Sequence, residues 1–498
     1  MKNYDVILVN PKFFSLYEVK FPPFAALFLS SSLKKAGYSV KIFDTQVEPD
    51  ENFYKLIQLQ KPLWVGFSVM TGSTITHALR LSRIIKKLSP STKVVWGGPH
   101  PSLLPEDTLK NKLIDIVIIR EGERTVVELT KVLKENTDLA NVKGIGYKKN
   151  DKIILNAQRE FITNWDEEVG LDWDSVDIKN YINRFGKQIH IPLITSRGCP
   201  FRCRFCWNLK ANNRQWRSWS AERTITEIKR LLAYGVNYIT FEDDNFGVNM
   251  ERVSKITDFL KKQNMIWSFE GFRVGLRLTP ELMKNLKAAG CHHICFGAEC
   301  GTQKMLDYIK KDITVEQLLE SAKLTGEHKI GAKYSWVVGF PKEIQEDRLK
   351  MMDLIDKLTK LNPNCAHYIG IFSPYPGSEL YQETIEAGWK PPRRIEEWAL
   401  FREEYDLPYI KNMWYLRSIS LTCFFKFAMD SPIRPFSKSK KLYQLPVKLL
   451  KLTANLRWKH RFFSFPIEYK LLTIGRNIQD KVSLFLAKKT RKLKINFL

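Results

Sequence analysis

Short apolar runs alternate with helix-like segments along most of this chain, in two separate blocks. The first block covers residues 4–150, and its strand-like runs fall at residues 4–9, 39–43, 64–69, 93–96 and 114–119. Helix-like stretches lie between them, including residues 24–35, 77–87 and 125–135. Short continuous apolar runs joined by helices are typical of strands buried on both faces of a parallel sheet. The block is therefore predicted to be α/β, with a doubly wound parallel sheet of the Rossmann-like type.

The second block covers residues 191–390 and repeats the alternation. Strand-like runs occur at residues 192–195, 238–241, 267–269, 294–296, 334–338 and 367–371. A full (β/α)₈ barrel needs about 250 residues, so six repeats predict a partial (β/α)₆ barrel. Residues 151–190 are acidic and read as a linker. Residues 391–498 form a mostly helical, basic C-terminal region.

Small and charged residues follow the strands of both blocks, and ligands of parallel sheets and barrels bind at the carboxyl ends of strands. The candidates in the first block are Ser68, Thr71, Gly72, Gly97, Gly98, Glu121 and Gly122. Those in the second are Glu242, Asp243, Arg273 and Glu299. From the pattern alone, turn glycines, helix caps and surface charges explain any single one of them equally well.

Three cysteines with the spacing C-x3-C-x2-C follow the first strand of the second block. Cys199, Cys203 and Cys206 could bind three irons of a [4Fe–4S] cluster, whose usual complement is four cysteines. One iron would then remain open to another ligand. The alternatives are a zinc site or structural cysteines, but zinc prefers a fourth Cys or His nearby. The nearest such residues in the sequence are His190 and Cys291.

This cysteine motif, with Phe205 before its last cysteine, resembles the signature of the radical S-adenosylmethionine (radical SAM) family. The resemblance implies that the open iron binds SAM and that one electron from the cluster cleaves SAM to a 5′-deoxyadenosyl radical. It places Glu242 and Asp243 at the SAM amine, and Glu299, in GAECG, on a strand that approaches SAM. Arg273 is a candidate for the SAM carboxylate, because a guanidinium binds carboxylates through two hydrogen bonds.

The first block is similar to the cobalamin (B12)-binding domain that precedes many radical SAM domains. The stretches AGYSVKIFD, VGFSVMTGS, WGGPHPS and DIVIIREGERT carry this resemblance, which implies that the strand-end residues of the block contact cobalamin. The D-x-H-x-x-G motif that supplies a histidine to cobalt is absent, since Asp44 is followed by Thr45 and Gln46. We therefore expect no protein imidazole below the cobalt, and we interpret His100 as a residue that lines a turn.

Together these resemblances imply a cobalamin-dependent radical SAM enzyme that methylates an unactivated carbon of a small-molecule or lipid-like substrate. A radical oxidative cyclase or rearrangement enzyme of the same family is the alternative. A tRNA-modifying methylthiotransferase is less favoured, because it should carry three further cysteines before Cys199 and this chain has none. The expected electron donor is a flavodoxin or a ferredoxin.

Positive charge is concentrated at the C-terminal end of the sequence. The net charge is +26, and residues 411–498 contain 20 Lys/Arg against three acidic residues. Aromatic residues are interleaved with these cations, which leaves three interpretations open: a helical bundle with a solvated basic face, contact with an anionic membrane, or nucleic-acid binding, the least favoured. No leader sequence or membrane-length apolar run is apparent. The expected location is the cytoplasm, with peripheral contact at the inner membrane face through residues 411–498.

Overall fold

The computed structural model describes residues 3–12, 20–275, 278–401, 406–429, 431 and 444–471. Two seven-stranded sheets dominate it, and helices cover both. The first sheet has the strand order β2-β1-β3-β4-β5-β6-β7. Its strands are β1 (Val6–Asn10), β2 (Val40–Asp44), β3 (Trp64–Ser68), β4 (Lys93–Gly97), β5 (Ile116–Ile118), β6 (Ile145–Lys149) and β7 (Lys152–Leu155).

The five predicted strands of this sheet are present and parallel, whereas β6 and β7 add an antiparallel hairpin that the sequence pattern did not predict. The hairpin turns at Asn150 and Asp151, whose φ angles are +50° and +59°. Two positive φ angles define the tight turn that best fits the twist of a hairpin, and Asn and Asp tolerate them. The hairpin also places β7 in the first sheet, although residues 151–190 were predicted to be a linker.

Six helices pack on the two faces of the first sheet: α1 (Phe24–Lys35), α2 (Asp50–Gln60), α3 (Thr74–Leu88), α4 (Pro99–Leu103), α5 (Pro105–Leu109) and α6 (Glu123–Glu135). Successive side chains of β1 point to opposite faces, so Leu8 joins the core under α1 and α6, while Ile7 joins the core under α2 and α3. Both are almost completely buried. This two-sided burial is why the strands read as continuous apolar runs.

The second sheet has the order β16-β15-β14-β13-β12-β9-β8. Its six parallel strands confirm the partial barrel: β9 (Gln188–Leu193), β12 (Tyr238–Phe241), β13 (Ile266–Phe272), β14 (Cys291–Glu299), β15 (Gly331–Val338) and β16 (Cys365–Ile371). The short strand β8 (Asn183–Phe185) pairs antiparallel at the edge. A separate ladder joins β10 (Ser196–Arg197) to β11 (Arg217–Ser218).

The remaining helices connect or cover the barrel strands. They are α7 (Trp165–Glu168), α8 (Asn208–Asn212), α9 (Ala221–Leu232), α10 (Met250–Lys262), α11 (Pro280–Ala288), α12 (Gln303–Tyr308), α13 (Val315–Glu327), α14 (Gln345–Leu361), α15 (Glu379–Glu386), α16 (Ile395–Trp398), α17 (Met413–Cys423) and α18 (Gln444–Lys459). Several begin with side-chain caps, such as Ser220 for α9 and Thr314 for α13. Each cap satisfies an N–H group that the helix itself leaves unpaired.

The C-terminal region is helical where it is described. Helix α17 and the π-helical turn Phe424–Ala428 pack along β16, and α18 packs on them. Residues 432–443 and 472–498, which carry much of the predicted basic tail, lie outside the described residues. Within the part of the chain that is described, no helix combines the length and the apolar character needed to cross a bilayer.

Candidate functional site

A cavity of about 360 Å³ lies between the first sheet and the barrel. Its wall contains strand-end residues of the first sheet: Ser68, Gly97, Gly98, Glu121 and Gly122. The opposite wall comes from the beginning of the barrel and includes Ser196, Arg197, Trp207, Glu242 and Asp244. One cavity thus brings five of the seven predicted cobalamin residues together with a predicted SAM residue.

An apolar part of the cavity follows the sheet beneath α1. It is lined there by apolar side chains and by Gly66, in the middle of β3: Leu8, Ala25, Ala26, Leu29, Trp64 and Val95. A Cβ at Gly66 would lie 2.5 Å from the Trp64 ring, so this strand has no room for a larger residue. At the mouth, Gly98 has a φ of +94°, and a Cβ there would lie 3.0 Å from the Val69 backbone. An apolar slot with a polar, glycine-rich mouth fits a large ligand such as cobalamin that approaches the backbone closely.

Thr71 and Gly72 lie beside a turn and are not among the cavity-lining residues. The Thr71 hydroxyl is 3.0 Å from Nδ1 of His100, whose backbone N–H donates to the Val69 carbonyl. The His100 ring packs edge-on against Trp398, and burial lowers its pKa to about 4. His100 thus lies in the short helix α4 rather than in a turn, and it is not among the residues that line the cavity. The assignment of Thr71 and Gly72 to cobalamin binding remains a prediction.

The cysteine loop begins at Gly198, whose φ is +83°. A Cβ at this position would collide with the Gln215 carbonyl oxygen, so only glycine fits here. The Gly198 N–H donates to Asp244 over 2.7 Å, and Asn245 Nδ2 lies 3.8 Å from the Cys199 sulfur. The strand end of β12 therefore fixes the position of the first cysteine.

The three cysteines are held in a partly buried loop that fits an iron–sulfur cluster. Burial, together with the charges of the nearby Cys203 and Cys199, raises the pKa of the Cys206 thiol to about 12. Thiolates in such a setting need a cationic centre to neutralise them. Among the described residues, no three His, Cys, Asp or Glu side chains are grouped closely enough to hold a single metal ion. A cubane cluster does not require that grouping, because each cysteine binds a different iron.

The two acidic residues predicted for the SAM amine have different environments. Glu242 lines the cavity, and burial together with the nearby Glu270 raises its pKa. Asp243 is buried and accepts hydrogen bonds from the Thr195 N–H, the Thr195 hydroxyl and the Ser196 hydroxyl, at 2.6–2.7 Å. Asp243 thus holds the segment that leads into the cysteine loop. These contacts favour Glu242 over Asp243 as the cofactor contact, and the assignment of both remains a prediction.

Arg273 lies close to Cys203, and Glu299 pairs with Lys311, whose pKa the Cys203 charge also raises. Arg273 is buried over the Phe201 ring, and its Nη1 is 3.7 Å from the Cys203 sulfur. Glu299 forms a buried ion pair of 2.9 Å with Lys311 and has a φ of +63° at the end of β14. The charges of Glu299 and Cys203 outweigh the effect of burial and raise the pKa of Lys311. Both predicted SAM residues are therefore at the cluster end of the barrel.

Two ion pairs that the sequence analysis did not anticipate connect β10 and β11, which flank the cysteine loop, to the segment that follows β5. Arg197 is 2.7 Å from Glu123, and Arg217 is 2.9 Å from Glu121. Glu121 also accepts a 2.9 Å hydrogen bond from the Ile162 N–H, so both of its oxygens are engaged. The signal was present in the sequence, since Arg197 precedes the cysteine motif and two carboxylates follow β5 in Glu121-Gly122-Glu123.

Comparison with known proteins agrees with this geometry. Residues 15–130 match the family described as B12 binding domain, and residues 193–355 match the radical SAM superfamily. An uncharacterized methyltransferase of Pyrococcus horikoshii is 31% identical over 73% of this chain and 78% of its own length. This chain belongs to the cobalamin-dependent radical SAM family. It is an enzyme of that family, and its cofactors are a [4Fe–4S] cluster, SAM and cobalamin.

Other relatives of this radical SAM protein have different named activities. The anaerobic magnesium-protoporphyrin IX monomethyl ester cyclase of Cereibacter sphaeroides is 25% identical over 76% of this chain and 63% of its own length. The fold is shared with the radical SAM methyltransferase TsrM from Kitasatospora setae, solved with cobalamin and a [4Fe–4S] cluster. The TM-score is 0.65 at 17% identity, over 78% of this chain and 80% of TsrM. OxsB, solved with aqua-cobalamin and SAM, has a TM-score of 0.61 at 24% identity, over 71% of this chain and 52% of OxsB.

Proposed function

We propose that this enzyme methylates an unactivated carbon of a small-molecule or lipid-like substrate. The observation that carries the proposal is the single cavity lined by the strand ends of the cobalamin-binding unit and by Arg197, Glu242 and Asp244 beside the cysteine loop. Two cofactors can act on one substrate atom only if both open into the same space. When bound, SAM and the cluster would supply a 5′-deoxyadenosyl radical, which removes a hydrogen atom from the substrate. Cobalamin would supply the methyl group.

In this proposal, the chain's own residues bind, orient and shield the reacting groups. Cys199, Cys203 and Cys206 bind the cluster, while Glu242, Arg273 and Glu299 surround SAM. Burial and the nearby Glu270 raise the pKa of Glu242, and a bound amine beside it would favour the charged carboxylate, which accepts hydrogen bonds. Apolar residues of the barrel wall, including Ile194 and Trp207, keep water away from the radical.

Asp243 acts as a positioning residue rather than as a cofactor ligand. Its carboxylate oxygens are engaged by Thr195 and Ser196, directly before the Arg197-Gly198-Cys199 segment. Arg252, which also donates to the Thr195 hydroxyl at 2.5 Å, completes this buried group. The strand end of β12 thereby serves two purposes, since the Glu242 carboxyl group lines the cavity and the Asp243 carboxylate holds the segment before the cysteine loop.

An oxidative radical cyclase is the second candidate, because a cyclase shares 25% identity with 76% of this chain. Both reactions begin with removal of a hydrogen atom from the substrate. They differ in the product, which gains a methyl group in one case and a ring or an oxidised carbon in the other. The mass of the product therefore separates the two candidates.

The experiment compares whole extracts, lipids included, from a strain lacking this gene and from its parent. Complementation with the wild-type gene and with a Cys199→Ala/Cys203→Ala/Cys206→Ala variant provides the matched control. We expect a compound heavier by one methyl group in the parent and in the wild-type complement alone. A compound that is found only in the parent and differs from its precursor by oxygen or hydrogen atoms would favour the cyclase reaction over methylation. Identical extracts would contradict both.

We also propose that the enzyme works in the cytoplasm with a flavodoxin or a ferredoxin as its electron donor. None of the eight cysteines, all of which lie in the described residues, forms a disulfide, as expected in a reducing compartment. Flavodoxins and ferredoxins supply single electrons, and the net charge of +26 favours an acidic protein donor. Anaerobic SAM cleavage with each purified donor, at low and at high salt, tests this pairing. Cleavage driven equally well by a basic donor protein would contradict it.

A further inference from the structure

The outer side of α18 and the segment that follows it expose an unusual number of large apolar side chains. Of the 15 exposed large hydrophobic residues among those described, seven lie within residues 449–471. Leu449, Leu452 and Leu456 are 52–57% exposed and share one face of α18, since they are spaced by three and four residues. The others are Phe462, Phe465, Ile467 and Leu471. We call these seven residues the α18 surface.

The opposite side of α18 is fixed to the barrel, so the α18 surface has a defined orientation. Ala454 and Trp458 are buried, and Trp458 Nε1 donates to Asp356 of α14 over 2.9 Å. Arg461 forms ion pairs of 2.7 Å and 2.9 Å with Asp353 and Asp356. The exposed leucines therefore sit on an anchored helix and face away from the body of the protein.

Positive charge accompanies the α18 surface. Lys448, Lys459 and Lys470 are exposed beside it. The one acidic residue within residues 444–471 is Glu468, which is neutralised by an ion pair with Arg457. An apolar helix face bordered by lysines has the composition of a segment that lies in a membrane interface. Its partner must combine negative charge with an apolar interior.

Other occupants fit this surface less well. Residues 472–498 contain seven Lys/Arg and one acidic residue, so they carry the same charge as the surface that they would cover. A second copy of the chain would bring like charges together for the same reason. Nucleic acid offers phosphates, but base stacking needs aromatic rings, and five of the seven exposed side chains are aliphatic.

We propose that the α18 surface docks the enzyme on an anionic lipid bilayer, with the apolar side chains in the acyl boundary and the lysines at the headgroups. This docking does not depend on the proposed methylation. Vesicle binding is measured without turnover, so failure of one proposal leaves the other standing.

The test is co-sedimentation of the full-length holoenzyme with vesicles of phosphatidylcholine, with and without phosphatidylserine. The apolar variant is Leu449→Gln/Leu452→Gln/Leu456→Gln. Its matched control is Leu59→Gln/Leu155→Gln/Leu361→Gln, which changes three leucines exposed elsewhere. Equal cobalamin content and equal thermal midpoints will confirm that both variants fold. We expect the apolar variant to bind at least about tenfold more weakly, because it loses apolar burial, and the control to bind as the wild type does.

The charge variant Lys448→Gln/Lys459→Gln separates headgroup attraction from insertion. Near an anionic surface each lysine contributes about fivefold in affinity, so we expect a loss of about 25-fold. Lys448→Arg/Lys459→Arg should bind as the wild type does. Raising the salt from about 0.1 M to about 1 M shortens the Debye length from about 10 Å to about 3 Å and should remove this difference.

Three results would overturn the proposal. Equal vesicle binding by the wild type and the apolar variant would show that the α18 surface is covered or unused. A lower solution mass of the apolar variant without vesicles would assign the surface to a second copy. Displacement from phosphatidylserine vesicles by stoichiometric single-stranded RNA would assign it to nucleic acid.

Discussion

The Arg197 guanidinium lies 2.7 Å from the Glu123 carboxylate, and this pair joins the cysteine loop to the cobalamin-binding sheet. Arg197 is also placed over the rings of Phe28 and Trp165, with its Cζ 4.6 Å and 5.0 Å from their centroids. Burial works against its charge, but Glu123 and Glu121 raise the pKa of Arg197. The pair therefore fixes the distance between the two parts of the molecule that hold cofactors.

Replacing Glu123 with Gln should loosen this connection. The substitution removes the closer of the two carboxylates beside the half-buried Arg197 charge, since Glu121 lies 3.8 Å away, and it costs about 1–3 kcal/mol. We expect a lower thermal midpoint and weaker cobalamin retention on gel filtration, with unchanged iron and sulfide. Asp138→Asn, which breaks an exposed ion pair with Lys149, is the matched control and should change neither. Equal behaviour of the two variants would contradict a joining role for Glu123.

Replacing Cys199, Cys203 and Cys206 together with Ala should abolish cluster binding. Thiolates are the ligands that hold iron–sulfur clusters, and the three cysteines share one loop. Iron and sulfide, measured after anaerobic reconstitution, should fall to background. Cys365→Ala, which removes a buried thiol behind the barrel, should keep full cluster content. Full content in the triple variant would refute the assignment.

Gly198→Ala should also disturb the cluster, although it leaves every cysteine in place. The added Cβ would collide with the Gln215 carbonyl oxygen and push apart the ladder of β10 and β11. Gly186→Ala is the matched control, because Gly186 has a φ of +61° and no atom lies within 4 Å of the position that its Cβ would take. The control should cost about 1–2 kcal/mol of stability from backbone strain alone and keep its cluster. Equal iron content in both variants would show that the close approach is unimportant.

Acid should destabilise the barrel through His367, which is fully buried behind the sheet. Its Nδ1 accepts from Trp336 and its Nε2 contacts Thr359, and burial lowers its pKa to about 3. Because the folded pKa lies below the unfolded value, the contribution to stability is complete above about pH 6.5 and is lost as the pH falls towards 3. Between about pH 7 and about pH 5.5 the free energy of unfolding should fall by about 1 kcal/mol. In denaturant unfolding, the free energy of unfolding of the wild type should fall by that much more than the free energy of unfolding of His367→Gln over this pH range. Parallel plots of the two free energies against pH would contradict the prediction.

Cobalt should receive no nitrogen ligand from the protein. His100 is buried against Trp398 and is not among the residues that line the cavity. Electron paramagnetic resonance of the reduced holoprotein should therefore be identical for the wild type and His100→Ala. Labelling the protein, but not the cobalamin, with ¹⁵N provides the control. A nitrogen hyperfine coupling that changes when the protein is labelled with ¹⁵N, and that disappears in His100→Ala, would show that the His100 imidazole binds cobalt.

The sequence predicted the parts of the fold that depend on local pattern. Helix α1 was predicted with its observed bounds, and all eleven parallel strands were placed, because continuous apolar runs signal burial on both faces. The hairpin of β6 and β7 was not predicted, because its main signal in the sequence is the Asn150-Asp151 turn. Relations across the cavity were also missed. The pairing of Arg197 with Glu123, and the difference between Glu242 and Asp243, arise from contacts between residues far apart in the chain, which spacing cannot show.

The central claim is that one cavity serves both cofactors, and their stoichiometry and coupling test it most directly. The reconstituted enzyme should bind one cobalamin and one [4Fe–4S] cluster per chain and, with SAM and a one-electron reductant, release 5′-deoxyadenosine. The triple cysteine variant should release none while still binding cobalamin. Release of 5′-deoxyadenosine by that variant, or a wild-type enzyme that binds the cluster but no cobalamin, would contradict the account.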